Sequence, residues 1–362
     1  MEEEKLHRLC NILVIITIFL VAIGLIMVFS ASSIRIPQSE ISMYHYFLRQ
    51  TLWAAIGFLA LLIVSRIDCN WLFKNSFYIL LFCLLLTVCT LCFPPINNAR
   101  RWLIIGPLSI QPSELLKVAF IIYLSSFFSK KDDDKLKIFL HGFFPPIIIL
   151  AIILAILALQ PHCGAAIFIS FIFLSMAFFG RVRIKYILLF FIFVGISIGT
   201  IITTKSYVME RIVNMDNYQS QHSIIALGSG GIFGKGPGLS EQKLFTLPLP
   251  YTDFILPIIG EELGFLGVLF IICLFVLFAI IGFSISVNLS SIFGSLLVFG
   301  LVFSIFLQAI INMCVVSKLI PVMGLPLPFI SYGGSFLVSS LISIGLIINL
   351  THSSSKIKDH FP

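Results

Sequence analysis

Charge is what this sequence lacks. Only 11% of its 362 residues are Asp, Glu, Lys or Arg, while 59% are hydrophobic and the mean hydropathy is +1.10. A water-soluble domain carries about a quarter of its residues as charges, so water is not the only solvent this chain meets. Eight cysteines lie at 10, 69, 83, 89, 92, 163, 273 and 314, without the spacing of a zinc site or a secreted disulfide framework. Most sit inside apolar runs, where a thiol is a small, inert, buried hydrophobe. No basic stripe exists either: the net charge of +7 comes from scattered Lys and Arg. That distribution argues against nucleic acid as a partner and fits the excess of cations beside membrane spans. The N-terminus lacks the short apolar core and small-residue cleavage site of a secretory signal, so the run from Cys10 to Ser30 reads as a retained first helix.

What is present is a series of apolar runs of about 17–25 residues, each long enough to cross a bilayer as a helix. They cover 10–31, 50–65, 75–93, 113–129, 139–160, 164–180, 185–204, 254–283, 291–315 and 333–350. The fold class expected is therefore an all-α integral membrane protein of about ten transmembrane helices, one polytopic domain over residues 1–362. With both termini in the cytoplasm, 13 Lys and Arg fall on that side and 9 on the other, with Lys117 inside a span. The cluster RVRIK (181–185) and the cytoplasmic tail 351–362 agree with this orientation. Between spans seven and eight lies a long extracytoplasmic loop, 205–252, and loops of that length are usually functional. Its stretch GSGGIFGKGPG (228–238) is no P-loop, because Gly236 follows Lys235, and it has no βαβ context. A series of tight turns with free backbone N–H groups is the remaining reading.

Polar residues in such surroundings are costly and are functional candidates by default. Asp253, at the outer mouth of the eighth span, reads either as an N-cap, with Thr252, or as a functional carboxylate. Pro257 has no N–H to give the Asp253 carbonyl, which places Asp253 at or before the helix start. Glu114 follows Pro112 and Ser113 in the first turn of a helix, within reach of Lys117, and this pair faces a loop bearing Arg100 and Arg101. On a continuous helix Glu261 and Glu262 cannot both share the face of Asp253, so one of them is expected to meet a neighbouring helix or a cation. Arg100, Arg101, Arg211, Lys235 and Lys243 stand on the outer side, against the usual trend. They suggest either an anionic ligand such as phosphate or contact with lipid headgroups.

Several longer stretches are specific. NNARRWLIIGPLSIQPSELLK (97–117), YQSQHSIIALGSGG (218–231), GKGPGLSEQKLFTLP (234–248), YTDFILPIIGEELGFLG (251–267) and IPVMGLPLPFISYGGS (320–335, containing Ser331) occur in order. With IGLIMVFSASS (23–33), they closely resemble the SEDS family (shape, elongation, division, sporulation), the FtsW/RodA cell-wall polymerases, over residues 10–350, nearer the FtsW branch. The resemblance implies a peptidoglycan glycosyltransferase in the bacterial cytoplasmic (inner) membrane. Such an enzyme polymerises lipid II into glycan strands at the outer face, with undecaprenyl pyrophosphate leaving. It also implies a class B penicillin-binding protein as transpeptidase partner, in division or elongation. Asp253 matches the family's essential carboxylate and is expected to stay ionised and act as general base. Glu114 and Lys117 match a buried polar pair near the cavity, and with Arg100, Arg101, Arg211, Lys235, Lys243, Glu261, Glu262 and Ser331 they are the substrate-binding candidates. A divalent cation, Mg or Mn, is compatible with the leaving group. Two departures stand out: His162 replaces the acid of a QPDxG motif, and Tyr251 replaces a His before TDF. An imidazole at 162 is expected to titrate with pH. These departures keep open a catalytically weak divisome scaffold, and the same cavity suits a lipid II flippase.

Overall fold

The computed structural model describes residues 2–32, 44–96, 99–106, 108–204, 218–245 and 250–353. Arg211, parts of the outer loop (205–217 and 246–249) and residues 354–362 of the tail lie outside the described residues. Each of the ten apolar runs coincides with a helix: α1 (Glu2–Ser32), α2 (His45–Val64), α3 (Cys69–Cys89), α4 (Pro112–Ser129), α6 (Phe144–Leu159), α7 (Cys163–Phe179), α8 (Ile184–Thr204), α11 (Ile255–Asn288), α12 (Ile292–Val316) and α13 (Gly334–Ser353). Shorter helices α5 (Asp133–Leu136), α9 (Tyr218–Ser229) and α10 (Gln242–Phe245) complete the order. Among the described residues, seven helical segments are long and apolar enough to cross a membrane: α1, α2, α3 with its 3-10 extension, Phe139–Leu159, α11, α12 and α13.

The chain is not wholly α-helical. β1 (Leu103–Ile105) and β2 (Leu108–Ile110) form an antiparallel hairpin, with Leu103 opposite Ile110. Helix starts follow local chemistry. Asp68 accepts from Asn70 N at the head of α3, Ser291 accepts from Gly294 N at the head of α12, and Pro112 opens α4 where no donor is needed.

The chain's outer surface is apolar. Ile15, Leu62, Phe82 and Leu189 are 55–63% exposed, a surface that would aggregate in water and is the solvated face in lipid. Cys89, Cys92, Cys163 and Cys273 are exposed in the same way, so the expectation of buried thiols holds for Cys10, Cys69 and Cys83 alone among the fully covered ones.

Because lipid tails are as apolar as leucine, helix association rests on close packing and on polar contacts between helices. α13 runs along α2, α11 lies against α1 and α12, and α4 packs between α3 and α12. At one end, Asn349 donates to the Val64 and Ile67 carbonyls at 2.8 and 2.6 Å, fastening α13 to the α2–α3 turn. At the other, Gly24 of α1 presses on the turn at Phe329 and Ile330, where an added Cβ would stand 2.5 Å from the Phe329 oxygen and 2.7 Å from the Ile330 Cα. Both neighbours are backbone and cannot swing aside. Gly24→Val is expected to destabilise the fold by about 1–3 kcal/mol through overpacking. It should lower the midpoint of thermal unfolding in detergent, whereas lipid-facing Ile15→Val leaves that midpoint unchanged.

Candidate active site

Asp253 is not a helix cap. α11 begins at Ile255 with Phe254 in the cap position and no side-chain cap bond, so the carboxylate belongs to the turn at 250–254 and lies outside capping geometry. The angular comparison of Asp253 with Glu261 and Glu262 on one helix does not apply for the same reason.

The turn is held from outside by backbone clasps. Asn312 Nδ2 donates to both the Asp253 and Leu325 carbonyls, each at 2.9 Å. Ser331 Oγ donates to the Thr252 carbonyl at 2.7 Å and accepts from Leu327 N, while Tyr332 N donates to the Tyr251 carbonyl at 2.9 Å. Gln50, 1% exposed, donates to the Ser331 carbonyl and accepts from Gly333 N. Phe329 in that second turn has φ of 64°, a left-handed strain for a bulky residue. It persists because these bonds and the Gly24 contact enclose it. Ser331 is 1% exposed and spends its hydroxyl on this clasp.

Asp253 itself is partly exposed, and among the described residues it has no ion-pair partner. Burial raises its carboxyl from 3.8 to about 6. That places its carboxyl within about a unit of neutral pH, so its charge there is held by a narrow margin.

Glu114 and Lys117 form an ion pair of 2.6 Å and are 4% and 5% exposed. Lys117 Nζ also donates to Gln308 Oε1 at 3.2 Å and lies 4.9 Å from the centre of the Phe168 ring. Gln308 Nε2 donates onward to the Pro326 carbonyl. Gln308 and Asn312 stand one turn apart on α12, so a single helix face links the buried pair to the segment that clasps Asp253. Glu114, Lys117, Phe168, Gln308, Pro328 and Phe336 line a cleft of about 20 Å³, room for roughly one water molecule.

Arg101 donates to the Gln160 carbonyl at 3.1 Å and to the Pro161 carbonyl, and exposed Arg100 donates to the Leu91 carbonyl at 3.0 Å. His162, next in the chain, is 3% exposed, and its Nδ1 has no hydrogen-bond partner among the described residues. Burial, then the charges of Arg101 and Lys117, lower its imidazole to about 3. The expected pH response at 162 is thus absent: the ring stays neutral because protonation would bury a third cation beside two others.

Lys235, Lys243, Glu261 and Glu262 do not converge on Asp253; they hold the loop to the helix. Glu261 accepts from Lys235 Nζ at 2.8 Å, Ser240 Oγ at 2.5 Å and the amides of Glu241 and Gln242. Glu262 accepts from Lys243 Nζ at 2.6 Å and from Ser30 Oγ of α1 at 2.7 Å. Both carboxylates are 0% exposed, and Lys243 is 3% exposed. α11 is interrupted two residues later, at Gly264 with φ of 70°. The amides and carbonyls released there bond to the Gly-rich stretch: Lys235 N to Glu261 O, Gly236 N to Glu262 O, and Phe265 N to Gly231 O. The tight turns inferred at 228–238 exist, and their free N–H groups serve this seam.

Sequence reasoning missed Gln50, Gln308, Asn312 and Ser30. Amides within apolar runs were the available signal, since a buried amide is costly without a partner.

A family model described as a cell cycle protein, for FtsW, RodA and SpoVE, matches residues 11–356. A probable peptidoglycan glycosyltransferase FtsW of Geobacter sp. (strain M18) is 36% identical over 94% of this chain and 96% of its own length. Stage V sporulation protein E of Bacillus subtilis (strain 168) is 36% identical over 95% and 97%. A chain solved in work on the structural coordination of polymerization and crosslinking by a peptidoglycan synthase complex superposes with a TM-score of 0.78 at 24% identity, covering 96% of this chain and 98% of that one. The rod shape determining protein RodA of Thermus thermophilus gives 0.70 at 23%, covering 96% and 97%. These two likenesses show the fold.

Breaking a buried ion pair on one side costs about 3–5 kcal/mol, because the other charge is stranded. Lys243→Met should therefore lower unfolding stability strongly. Lys243→Met combined with Glu262→Met should recover most of the loss, as read in a double-mutant cycle of thermal unfolding.

Proposed function

The chain belongs to the family of the FtsW, RodA and SpoVE cell cycle proteins, and on that premise we propose that it is a peptidoglycan glycosyltransferase with Asp253 as general base. It is a multi-pass protein of the bacterial inner membrane. The proposed topology has ten crossings with both ends in the cytoplasm, which puts the Asp253 turn, the β1–β2 hairpin and the Gly-rich seam at the outer face.

One observation carries the assignment of the base. Asp253 is a carboxylate without a counter-charge among the described residues, in a turn clasped through its backbone by Asn312, Ser331 and Tyr332. A base must be ionised, fixed and not consumed by an ion pair, and its best pKa lies near the working pH. Lipid II transport and a purely scaffolding role leave such a group without a task.

In the proposed reaction Asp253 takes the proton of the acceptor hydroxyl of lipid II as that oxygen attacks the anomeric carbon at the end of the growing glycan chain. The C–O bond to undecaprenyl pyrophosphate breaks with its electron pair on the phosphate oxygen. Arg100, Arg101 and Lys117 are the proposed stabilisers of the pyrophosphate, with Glu114 holding Lys117 in place. Arg211 is proposed with them from the sequence alone. Lys235, Lys243, Glu261, Glu262 and Ser331 act by positioning the loop and the turn. Among the described residues no three His, Cys, Asp or Glu side chains form a group able to hold a metal ion. A Mg²⁺ or Mn²⁺ ion would come with the substrate's phosphates and supply charge at the leaving group. A class B penicillin-binding protein is the proposed partner, a reading supported by the synthase complex that supplied one solved relative.

Asp253→Asn is expected to lower the initial rate of lipid II polymerisation by about 10²–10⁴-fold, measured as labelled glycan with the partner present. In the wild-type enzyme the rate should fall as pH drops through about 6. The sign for stability is opposite. A folded pKa raised above 3.8 means that the fold binds this proton more tightly than the unfolded chain, so stability declines as pH rises from about 4 to 6. At pH 7 the Asn variant should thus be slowed by that factor yet at least as heat-stable as wild type.

A further inference from the structure

Three tyrosines meet at the turn that carries Asp253. Tyr46 in the first turn of α2 lies against Tyr251, with ring centroids 4.4 Å apart and planes at 32°. Tyr332 stands across both, 5.5 Å from each and at 89°. They come from three parts of the chain, and two of them are tied by the bond from Tyr332 N to the Tyr251 carbonyl. Tyr251 is 8% exposed, while Tyr46 and Tyr332 are half-buried. Burial, then a hydrogen bond with Tyr46, raises the Tyr251 phenol well above its ordinary value, so it is a neutral donor and acceptor and not a second base.

Tyrosines at a membrane's edge commonly anchor the protein among headgroups. That role needs rings turned outward, and Tyr251 is enclosed within the protein two residues from Asp253. The reaction sets a different demand. The sugar hydroxyl must lie within about 2.6–3.2 Å of the base, so the ring bearing it must lie against the turn that carries both Asp253 and Tyr251. A pyranose presents a face of C–H groups, which pack on an aromatic face, and a rim of hydroxyls that phenols can bond.

We propose that Tyr46, Tyr251 and Tyr332 form a carbohydrate subsite, in which the half-buried rings of Tyr46 and Tyr332 hold the acceptor sugar of lipid II over Asp253. Tyr251 is the positioning member, packed against both of the others. The subsite rests on the glycosyltransferase reading for its substrate, but its sugar dependence can be measured without turnover.

The experiment is equilibrium binding to the full chain in lipid nanodiscs, comparing lipid II with undecaprenyl pyrophosphate, which has the same anchor and no sugar. Tyr332→Leu and Tyr46→Leu are expected to weaken lipid II binding about tenfold and to leave undecaprenyl pyrophosphate within about twofold. Tyr332→Phe keeps the ring and should stay within about threefold of wild type for both lipids. With the transpeptidase partner present, the Leu variants should raise KM for lipid II and hold kcat, whereas Asp253→Asn should keep binding and lose kcat. Equal weakening of both lipids, or no change for lipid II, overturns the subsite. Tyrosine-dependent binding of lipid II by a wild-type protein that makes no glycan supports the subsite and overturns the polymerase instead.

Discussion

A charge enclosed among apolar helices must find its counter-charge inside the protein. Lipid offers no hydration, and an isolated buried ion is the costliest group a fold can hold. Three pairs answer this constraint here: Glu114 with Lys117, Glu261 with Lys235 and Glu262 with Lys243. Each pair also joins separate elements. Lys117 reaches α12 through Gln308, and Glu262 binds α1 through Ser30 as well as the outer loop. The break in α11 at Gly264 depends on the same network, because the backbone groups it frees are taken up by the loop that the two glutamates hold.

Against that background Asp253 stands out by contrast. The fold places backbone bonds from Asn312, Ser331 and Tyr332 in the turn that carries it, and no cation among the described residues pairs with its carboxylate. Burial raises its pKa, which means its charge is carried at a cost to stability. The three deeply buried acids Glu114, Glu261 and Glu262 are paired, whereas partly exposed Asp253 has no ion-pair partner among the described residues. His162 shows the same electrostatics from the other side. Arg101 and Lys117 leave no room for a further positive charge, so the imidazole remains neutral.

Much of the helix layout was legible in advance, because each apolar run had to satisfy its own backbone in lipid and a helix does so locally. The hairpin at 103–110 was not legible, since three-residue strands carry no periodicity. In the site, Asp253 was singled out from a motif and its position before an apolar run, and the Glu114–Lys117 pair from its spacing of three. The pairings of Lys235 with Glu261 and of Lys243 with Glu262, 26 and 19 residues apart across a loop, leave no mark in local sequence, which offers only that one of the glutamates meets a neighbouring helix or a cation. Ser331, Asn312 and Gln50 work through carbonyls and amides of distant turns, which a list of side chains does not reveal.

The sequence by itself determined the solvent, the number and placing of the apolar runs, the family and the identity of the candidate base. All of these follow from composition and from contiguous stretches of chain. Only the tertiary structure decided which charges pair with one another inside the fold. Pairing energy in a medium of low dielectric depends on distances of a few ångströms between residues far apart in the chain, and folding alone sets those distances.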